Sequence, residues 1–210
     1  MRTSYSLPTT ISMLVLDLGG VLIRLNYQKT IQAFIDLGIK DFEGMYTQAQ
    51  QLDLFDRFET GQVSAQYFIN QLKTFLPPSV SPNAIVHAWN EMILDFPHEH
   101  VALLEQLKKR YHLVLLSNTN ELHVPVVRRA FKQVSNQPFE DFFHSTYYSH
   151  ELGMRKPHPD TFLKVCELQG HSPEKSLFID DTAQHIAGAK QAGLHTIQLE
   201  DIDDLTYIFS

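Results

Sequence analysis

The polar side chains best suited to chemistry follow three short apolar runs of the sequence. Asp17 follows residues 13–16, Ser117 follows 113–116 and Asp180 follows 177–179. A carboxylate can act as a nucleophile or as an oxygen ligand of magnesium, and a hydroxyl can hydrogen-bond an anion. Each position also has a structural interpretation, because an aspartate can cap a turn and a pair such as Asp180–Asp181 is favourable at a helix N-terminus.

The apolar runs indicate the elements that would position these side chains. They are nearly continuous, which is typical of strands buried on both faces of a parallel sheet. Further strands are predicted near 146–149 and 196–199, and helices at 101–110, 159–169 and 182–192. This alternation predicts a doubly wound sheet with right-handed crossovers. Ligands of such sheets bind beyond the carboxyl ends of the strands, so Asp17, Ser117 and Asp180 are expected to lie together.

One stretch interrupts the alternation. Residues 26–96 show helical patterns and no strand signal, with helices predicted at 27–37, 64–76 and 82–94. Ser64 is a favourable capping residue for the second of these helices. The sequence therefore predicts an α/β fold in which residues 1–25 and 97–210 form a Rossmann-like, doubly wound parallel-sheet core. Residues 26–96 are predicted to form an inserted helical cap domain.

Four motifs in this order resemble those of the haloacid dehalogenase superfamily. They are residues 14–22 around Asp17, residues 115–120, Arg155-Lys156-Pro157 with residues 159–162, and residues 178–182. Each motif is weak alone, but four in order around a helical insert are specific, and the resemblance covers essentially the whole chain. The insert is similar to the small helical cap of that superfamily. Within it, residues 58–64 and 88–90 resemble the bacterial subgroup that contains sugar-phosphate phosphatases.

The resemblance implies a magnesium-dependent hydrolase of small phosphorylated metabolites, with Asp17 as the nucleophile that forms an aspartyl-phosphate. The implied magnesium ligands are Asp17, the backbone carbonyl of Gly19, Asp180 and Asp181, the last orienting a metal-bound water or the loop. Ser117 and the backbone amide of Asn118 would hydrogen-bond the phosphate. Lys156 would offset the charge of the carboxylates and of the phosphate. Closure of the cap would exclude water and shape the substrate pocket.

The sequence departs from the superfamily's pattern at Gly19. Most phosphatases of the superfamily carry a second aspartate there, which protonates the leaving group and later activates water. Such a group contributes roughly 10²- to 10⁴-fold in rate. A cap residue such as Glu59, or water, could replace it, or turnover could be slow. The resemblance favours a substrate with a good leaving group, because the subgroup with glycine here includes glucose-1-phosphate phosphatases. Anomeric and acyl phosphates are therefore expected to react faster than alkyl phosphates.

Two other functions are compatible with these motifs. A haloacid dehalogenase also uses an aspartate nucleophile without the second aspartate, but it needs no metal and would give the Asp180–Asp181 pair little purpose. Chloride release from 2-chloropropionate that is insensitive to chelators would indicate this activity. A weakly active or non-catalytic module that binds a phosphorylated metabolite would explain the missing carboxylate at Gly19. Ligand binding without phosphate release would indicate such a module.

The composition favours a small molecule as the partner. The chain has 210 residues, a formal net charge of −7 and no basic run, so nucleic acid is not expected to bind. No apolar run approaches the ~18 residues of a membrane span, and the first residues do not resemble a signal peptide. A single cysteine cannot form an internal disulfide, which fits a reducing compartment. We expect a cytoplasmic monomer or homodimer without membrane contact.

Other conspicuous residues have mainly structural interpretations. Cys166 is expected to be a buried structural thiol. The segment from His98 to His100 is expected to be solvated or to cap a helix, since no further ligands complete a zinc site. His185 stands where the superfamily commonly has asparagine, and it either lines the site or lies on a helix surface. Trp89 is expected in the cap core rather than against substrate.

Overall fold

The computed structural model describes residues 7–42, 44–46 and 53–209. Its strands are β1 Met13–Leu16, β2 His112–Ser117, β3 Ser145–Tyr148, β4 Ser176–Asp180 and β5 His195–Gln198. Its helices are α1 Tyr27–Asp36, α2 Leu54–Glu59, α3 Ala65–Lys73, α4 Pro82–Asn90, α5 His98–Arg110, α6 Val124–Phe131, α7 Ser149–Leu152, α8 Pro159–Gln169, α9 Ala183–Gln191 and α10 Asp204–Ile208. The predicted order of strands and helices is confirmed, with most strand ends within one residue of the prediction.

The strands form one parallel sheet in the order β3-β2-β1-β4-β5. The central strand β1 lies between β2 and β4, and Leu16 is in register with Leu115 and with Ile179. The Asp17 N–H continues the ladder by donating to the Ile179 carbonyl at 3.0 Å. The carboxyl ends of β1, β2 and β4 therefore meet at one edge of the sheet.

Helices cover both faces of this sheet. Alternate residues of a strand point to opposite faces, so Leu14 and Leu16 join one apolar cluster with α5, α6 and α10. Met13 and Val15 join another cluster with α8 and α9. All residues of β1 and β4 are buried, as continuous apolar runs predict. The Rossmann-like, doubly wound prediction is confirmed.

Helices α1 to α4 pack around a separate apolar cluster. Its fully buried members include Phe34, Phe58, Phe68 and Ile85. Ser64 caps α3 as predicted, because its hydroxyl accepts a hydrogen bond from the Tyr67 N–H at 3.3 Å. Helix α2 was not predicted, since its six residues span less than two turns of periodic pattern.

Two passages of the chain run side by side where these helices meet the sheet domain. The Arg24 N–H donates to the Asp95 carbonyl at 2.9 Å, and the Asn26 N–H donates to the Met92 carbonyl at 2.8 Å. The Arg24 guanidinium also bonds the Asp95 carboxylate at 2.8 Å. The division into a core and a cap at residues 26 and 96 stays a prediction.

Cys166 and His100 are both buried. For Cys166 this confirms the structural interpretation. For His100 the expectation of a solvated or capping residue is wrong, because α5 begins at His98 and His100 is buried in its first turn. Its Nδ1 lies 3.3 Å from the Leu22 carbonyl oxygen. None of the described helices is long and apolar enough to cross a membrane.

Candidate active site

Three carboxylates meet at the edge of the sheet formed by β1 and β4. Asp17, Asp180 and Asp181 each place an oxygen within 4.8 Å of the others. Asp17 and Asp180 are buried, whereas Asp181 is exposed. Gly20 allows this approach, since its φ is +72° and a Cβ there would overlap the Asp181 carboxylate. The structure thus brings together the carboxylates that the sequence singled out.

Lys156 lies between two of these carboxylates. Its Nζ donates to Asp17 Oδ1 at 2.6 Å and to Asp180 Oδ2 at 2.7 Å. The side chain of Asn118 holds the backbone of Lys156, because its amide donates to the Lys156 carbonyl at 2.9 Å and its oxygen accepts from the Lys156 N–H at 3.0 Å. This positioning role of the Asn118 side chain was not predicted.

The charges of this cluster are strongly coupled. Burial raises the pKa of Asp17 to about 7, with the Lys156 ammonium opposing the shift and the Asp180 carboxylate adding to it. Burial acts in the same direction on Asp180, but Lys156 and His185 outweigh it and hold the pKa of Asp180 below its ordinary value. The two carboxylates raise the pKa of Lys156 despite its burial. A divalent cation at the cluster would lower the pKa of Asp17.

His185 contacts the site directly. It lies on the first turn of α9, and its Nδ1 is 2.9 Å from Asp180 Oδ2. The Thr182 N–H donates to the other carboxylate oxygen, Asp180 Oδ1, at 2.7 Å. Of the two interpretations of His185, the structure favours the one in which it lines the site and orients Asp180.

A cavity of about 680 Å³ reaches the residues that follow β1 and the end of β2. Gly19, Ser117 and Asn118 line it at the sheet end, and Ser117 is buried at the last position of β2. A Cβ at Gly19 would press against the end of the Leu25 side chain. Leucine thus occupies the place toward which a side chain at position 19 would extend.

Side chains of α2 close the cavity from the other side. The Arg155 guanidinium, just before Lys156, pairs with Glu59 Oε2 at 3.1 Å and with the Asp56 carboxylate. Burial raises the pKa of Glu59, against the lowering effect of Arg155. The sequence predicted no role for Arg155, which belongs to the third motif. Its pairing with Asp56 and Glu59 depends on the packing of α2 against the sheet domain.

The remaining wall of the cavity includes Trp89 and His123, whose rings stack at 5.3 Å and 12°. His123 Nδ1 lies 2.9 Å from Asn90 Oδ1, and the Asn90 amide group donates to the Val86 carbonyl. The Asn90 oxygen is therefore the acceptor, so Nδ1 carries the proton. Burial lowers the pKa of His123 to about 4.

The sequence supported a prediction for Trp89 but none for His123. Trp89 packs against the apolar cluster of α1 to α4, as predicted, but it also lines the cavity, which was not predicted. The sequence carried no signal for His123, because it follows no strand or motif ending.

The chain matches the family model of haloacid dehalogenase-like hydrolases over residues 11–193. It belongs to that family, which confirms the predicted family and the predicted enzyme class of hydrolase.

Among its relatives is D-ribitol-5-phosphate phosphatase of Bacteroides thetaiotaomicron, 29% identical across 91% of this chain and 93% of that protein. A crystal structure of a haloacid dehalogenase-family enzyme from the same organism has a TM-score of 0.89 at 32% identity, covering 95% of this chain and 98% of that one. A further structure of that enzyme, in complex with magnesium and inorganic phosphate, has a TM-score of 0.88 at 33% identity, covering 95% and 100%.

Proposed function

We propose that this hydrolase is a magnesium-dependent phosphatase that cleaves a small sugar phosphate or polyol phosphate through an aspartyl-phosphate on Asp17. The observation that carries the proposal is the buried Asp17 carboxylate, bonded to Lys156 and grouped with Asp180 and Asp181 within 4.8 Å. The relative named as a ribitol phosphate phosphatase supports it, as does the magnesium and phosphate complex of the related structure.

The residues of the site fit a magnesium ion. Magnesium prefers oxygen ligands, and the cluster offers three carboxylates, to which the family resemblance adds the backbone carbonyl of Gly19. When bound, the ion would withdraw charge from the phosphoryl oxygens and from the nucleophile. A metal-independent dehalogenase would give Asp180 and Asp181 no comparable purpose, which favours the phosphatase.

The reaction would proceed in two displacements at phosphorus. In the first, the Asp17 carboxylate attacks, the bond from phosphorus to the leaving alcohol oxygen breaks, and an acyl phosphate forms. In the second, water attacks the phosphorus, inorganic phosphate departs and Asp17 is restored. Ser117 and the Asn118 N–H would bind the phosphoryl oxygens, and Lys156 would balance their charge.

Glu59 is the residue we assign to the proton transfers that an aspartate at position 19 would otherwise perform. It lies in the same cavity as Gly19 and Ser117, and burial raises its pKa above the ordinary value of a glutamate. It would protonate the leaving oxygen and then accept a proton from the attacking water. Arg155 would fix its orientation. Faster reaction of anomeric and acyl phosphates than of alkyl phosphates stays a prediction. The difference in rate should be largest when Glu59 is removed, because alkyl leaving groups then lack a proton donor.

A phosphate-release screen of phosphorylated metabolites, with and without magnesium, tests this function. We expect release that requires magnesium and falls roughly 10⁴-fold or more in Asp17→Asn. Asp36→Asn, an exposed substitution on α1, is the control and should leave the rate unchanged. Unchanged release by Asp17→Asn would contradict the mechanism. Chelator-insensitive chloride release from 2-chloropropionate would instead indicate a dehalogenase, and binding without release a non-catalytic module.

A further inference from the structure

One wall of the cavity is built from aromatic rings. Tyr46, Phe55, Trp89 and His123 line it in succession. The centroid distances along this series are 4.9, 5.7 and 5.3 Å, and the interplanar angles are 26°, 7° and 12°. Nearly parallel rings at these distances are offset rather than face to face. We call these four residues the ring wall.

Several polar groups near the ring wall have partners within the protein, whereas Trp89 Nε1 and Arg155 Nε are buried without a partner among the described residues. Arg155 pairs with Asp56 and Glu59. The Thr30 hydroxyl donates to the Trp89 carbonyl at 3.4 Å and accepts from the Met92 N–H at 3.0 Å. A polyol chain lying along the ring faces would find few hydrogen-bond partners there, which weakens binding. The wall is therefore better matched to a flat, apolar-faced group than to bare hydroxyls.

His123 adds one directional polar contact to this wall. Because its Nδ1–H is committed to Asn90, the neutral ring presents Nε2 as a hydrogen-bond acceptor. Such an acceptor at the end of a series of parallel rings suits the N–H of a heteroaromatic ring that stacks nearby. The cavity of about 680 Å³ is within the usual range for a ligand of that size.

We propose that the substrate is a phosphate monoester whose five-carbon sugar or polyol chain carries a flat heteroaromatic ring, the ring lying on the ring wall and the phosphate at Asp17. This inference rests on the proposed phosphatase function and specifies its substrate. Riboflavin 5′-phosphate, a ribitol phosphate with a ring attached, and uridine 5′-monophosphate have this chemistry. Ribitol 5-phosphate is the matched compound without a ring.

Binding can be measured separately from catalysis. Trp89 is the only tryptophan of the chain, so its fluorescence reports on the ring wall. Binding is measured with the Asp17→Asn variant in the presence of magnesium, by fluorescence quenching for riboflavin 5′-phosphate and by calorimetry for ribitol 5-phosphate. We expect the Kd of riboflavin 5′-phosphate to be about tenfold lower, as expected for one stacked ring. Phe55→Leu should raise the Kd of the ring-bearing ligand about tenfold and change that of ribitol 5-phosphate less than about twofold.

Kinetics of the wild-type enzyme then separate this inference from the proposed function. We expect kcat/KM for riboflavin 5′-phosphate or uridine 5′-monophosphate to exceed that for ribitol 5-phosphate at least about tenfold, chiefly through KM. Phosphate release from none of the esters would overturn the phosphatase itself. If kcat/KM for ribitol 5-phosphate equals or exceeds that for the ring-bearing esters, and Phe55→Leu lowers kcat/KM equally for both kinds of substrate, only the proposal of a ring-bearing substrate is overturned.

Variants of Trp89 distinguish loss of the aromatic ring from loss of folding. Trp89→Phe keeps a ring and should retain the preference, whereas Trp89→Leu should lose it, with circular dichroism confirming the fold of both. Tyr67→Leu, an exposed aromatic on α3 outside the cavity lining, is the matched control and should behave as wild type. Retention of the preference in Trp89→Leu would contradict the role of the ring wall.

Discussion

Lys156 determines how the carboxylates at the candidate active site share charge. One buried ammonium bonds Asp17 and Asp180, while Asp181 has no lysine partner among the described residues. Three carboxylates and one cation leave the cluster net negative when all are ionised, which is an environment that attracts a divalent cation. The same balance explains why Asp180 stays ionised with a lowered pKa while burial raises the pKa of Asp17.

Substitution of Glu59 by glutamine tests the acid–base assignment. The variant keeps the shape of the side chain but loses its proton transfer. We expect kcat for an alkyl phosphate to fall roughly 10²- to 10⁴-fold, and kcat for acetyl phosphate to fall much less, because its leaving group needs little protonation. Steady-state phosphate release on both substrates measures the difference.

Asp56→Asn is the control for the Glu59 substitution. Asp56 shares the Arg155 contact with Glu59, so its loss perturbs the ion pair without removing the proposed acid. It should slow both substrates to a similar and small extent. An equal loss on the alkyl and acyl phosphates in Glu59→Gln would show that Glu59 serves only to position other groups.

At the scale of elements, helix α9 supports the loop that carries Lys156. Gly188 lies in α9 directly beneath this loop, and a Cβ there would overlap the Pro157 carbonyl. The absence of a side chain at Gly188 lets the helix approach the backbone next to Lys156. The same helix carries His185, so its position affects two partners of Asp180 at once.

Gly188→Ala should therefore destabilise the protein, although alanine is intrinsically the better helix former by about 1 kcal/mol. Overpacking typically costs about 1–3 kcal/mol, and displacement of Lys156 should lower kcat as well. Urea denaturation and steady-state kinetics measure the two effects. Ala187→Ser, at an exposed neighbouring position, should change stability by less than about 0.5 kcal/mol. A gain in stability in Gly188→Ala would contradict the packing argument.

At the scale of the whole molecule, metal binding should couple to folding. The carboxylates come from β1 and β4, which are distant in sequence and adjacent only in the folded sheet. Magnesium that binds only the folded state at about 100 times its Kd should raise the free energy of unfolding by about 2.7 kcal/mol. Urea denaturation with magnesium or with chelator measures this. Asp180→Asn should lose most of the increase, and an equal increase in that variant would argue against the predicted ligands.

Stability should also depend on pH through His123. Its pKa is lowered by burial to about 4, whereas an unfolded histidine titrates near 6.5. Below about pH 6.5 the unfolded state binds the proton first, so the stabilisation present above that pH is lost as the pH falls toward 4. At 1.36 kcal/mol per pKa unit the loss is about 3 kcal/mol.

The His123 contribution is measured as the slope of unfolding free energy against pH between 6.5 and 4. His123→Gln should flatten this slope even if it lowers stability overall. His195→Gln, at an exposed position of β5, should keep the wild-type slope. An unchanged slope in His123→Gln would contradict the buried neutral state of His123.

The sequence by itself determined the sheet and the residues at its edge. Buried parallel strands have continuous apolar sequences, and the residue that follows each apolar run lies at the carboxyl edge of the sheet. The positions of Asp17, Ser117 and Asp180 therefore follow from the sequence. The longer helices were also predictable, whereas α2, α6, α7 and α10 were not. Six residues provide too little periodicity for α2, and α6 opens with an apolar run containing Pro125.

Only the tertiary structure decided which side chains complete the cavity. The pairing of Arg155 with Glu59, the stacking of Trp89 on His123, and the contact of His185 with Asp180 depend on how separate surfaces meet. Local patterns in a sequence report which face of an element is apolar, because that preference repeats over a few residues. Contacts between a loop of the sheet domain and helices from another part of the chain follow from packing of whole elements, for which no short-range repeat exists.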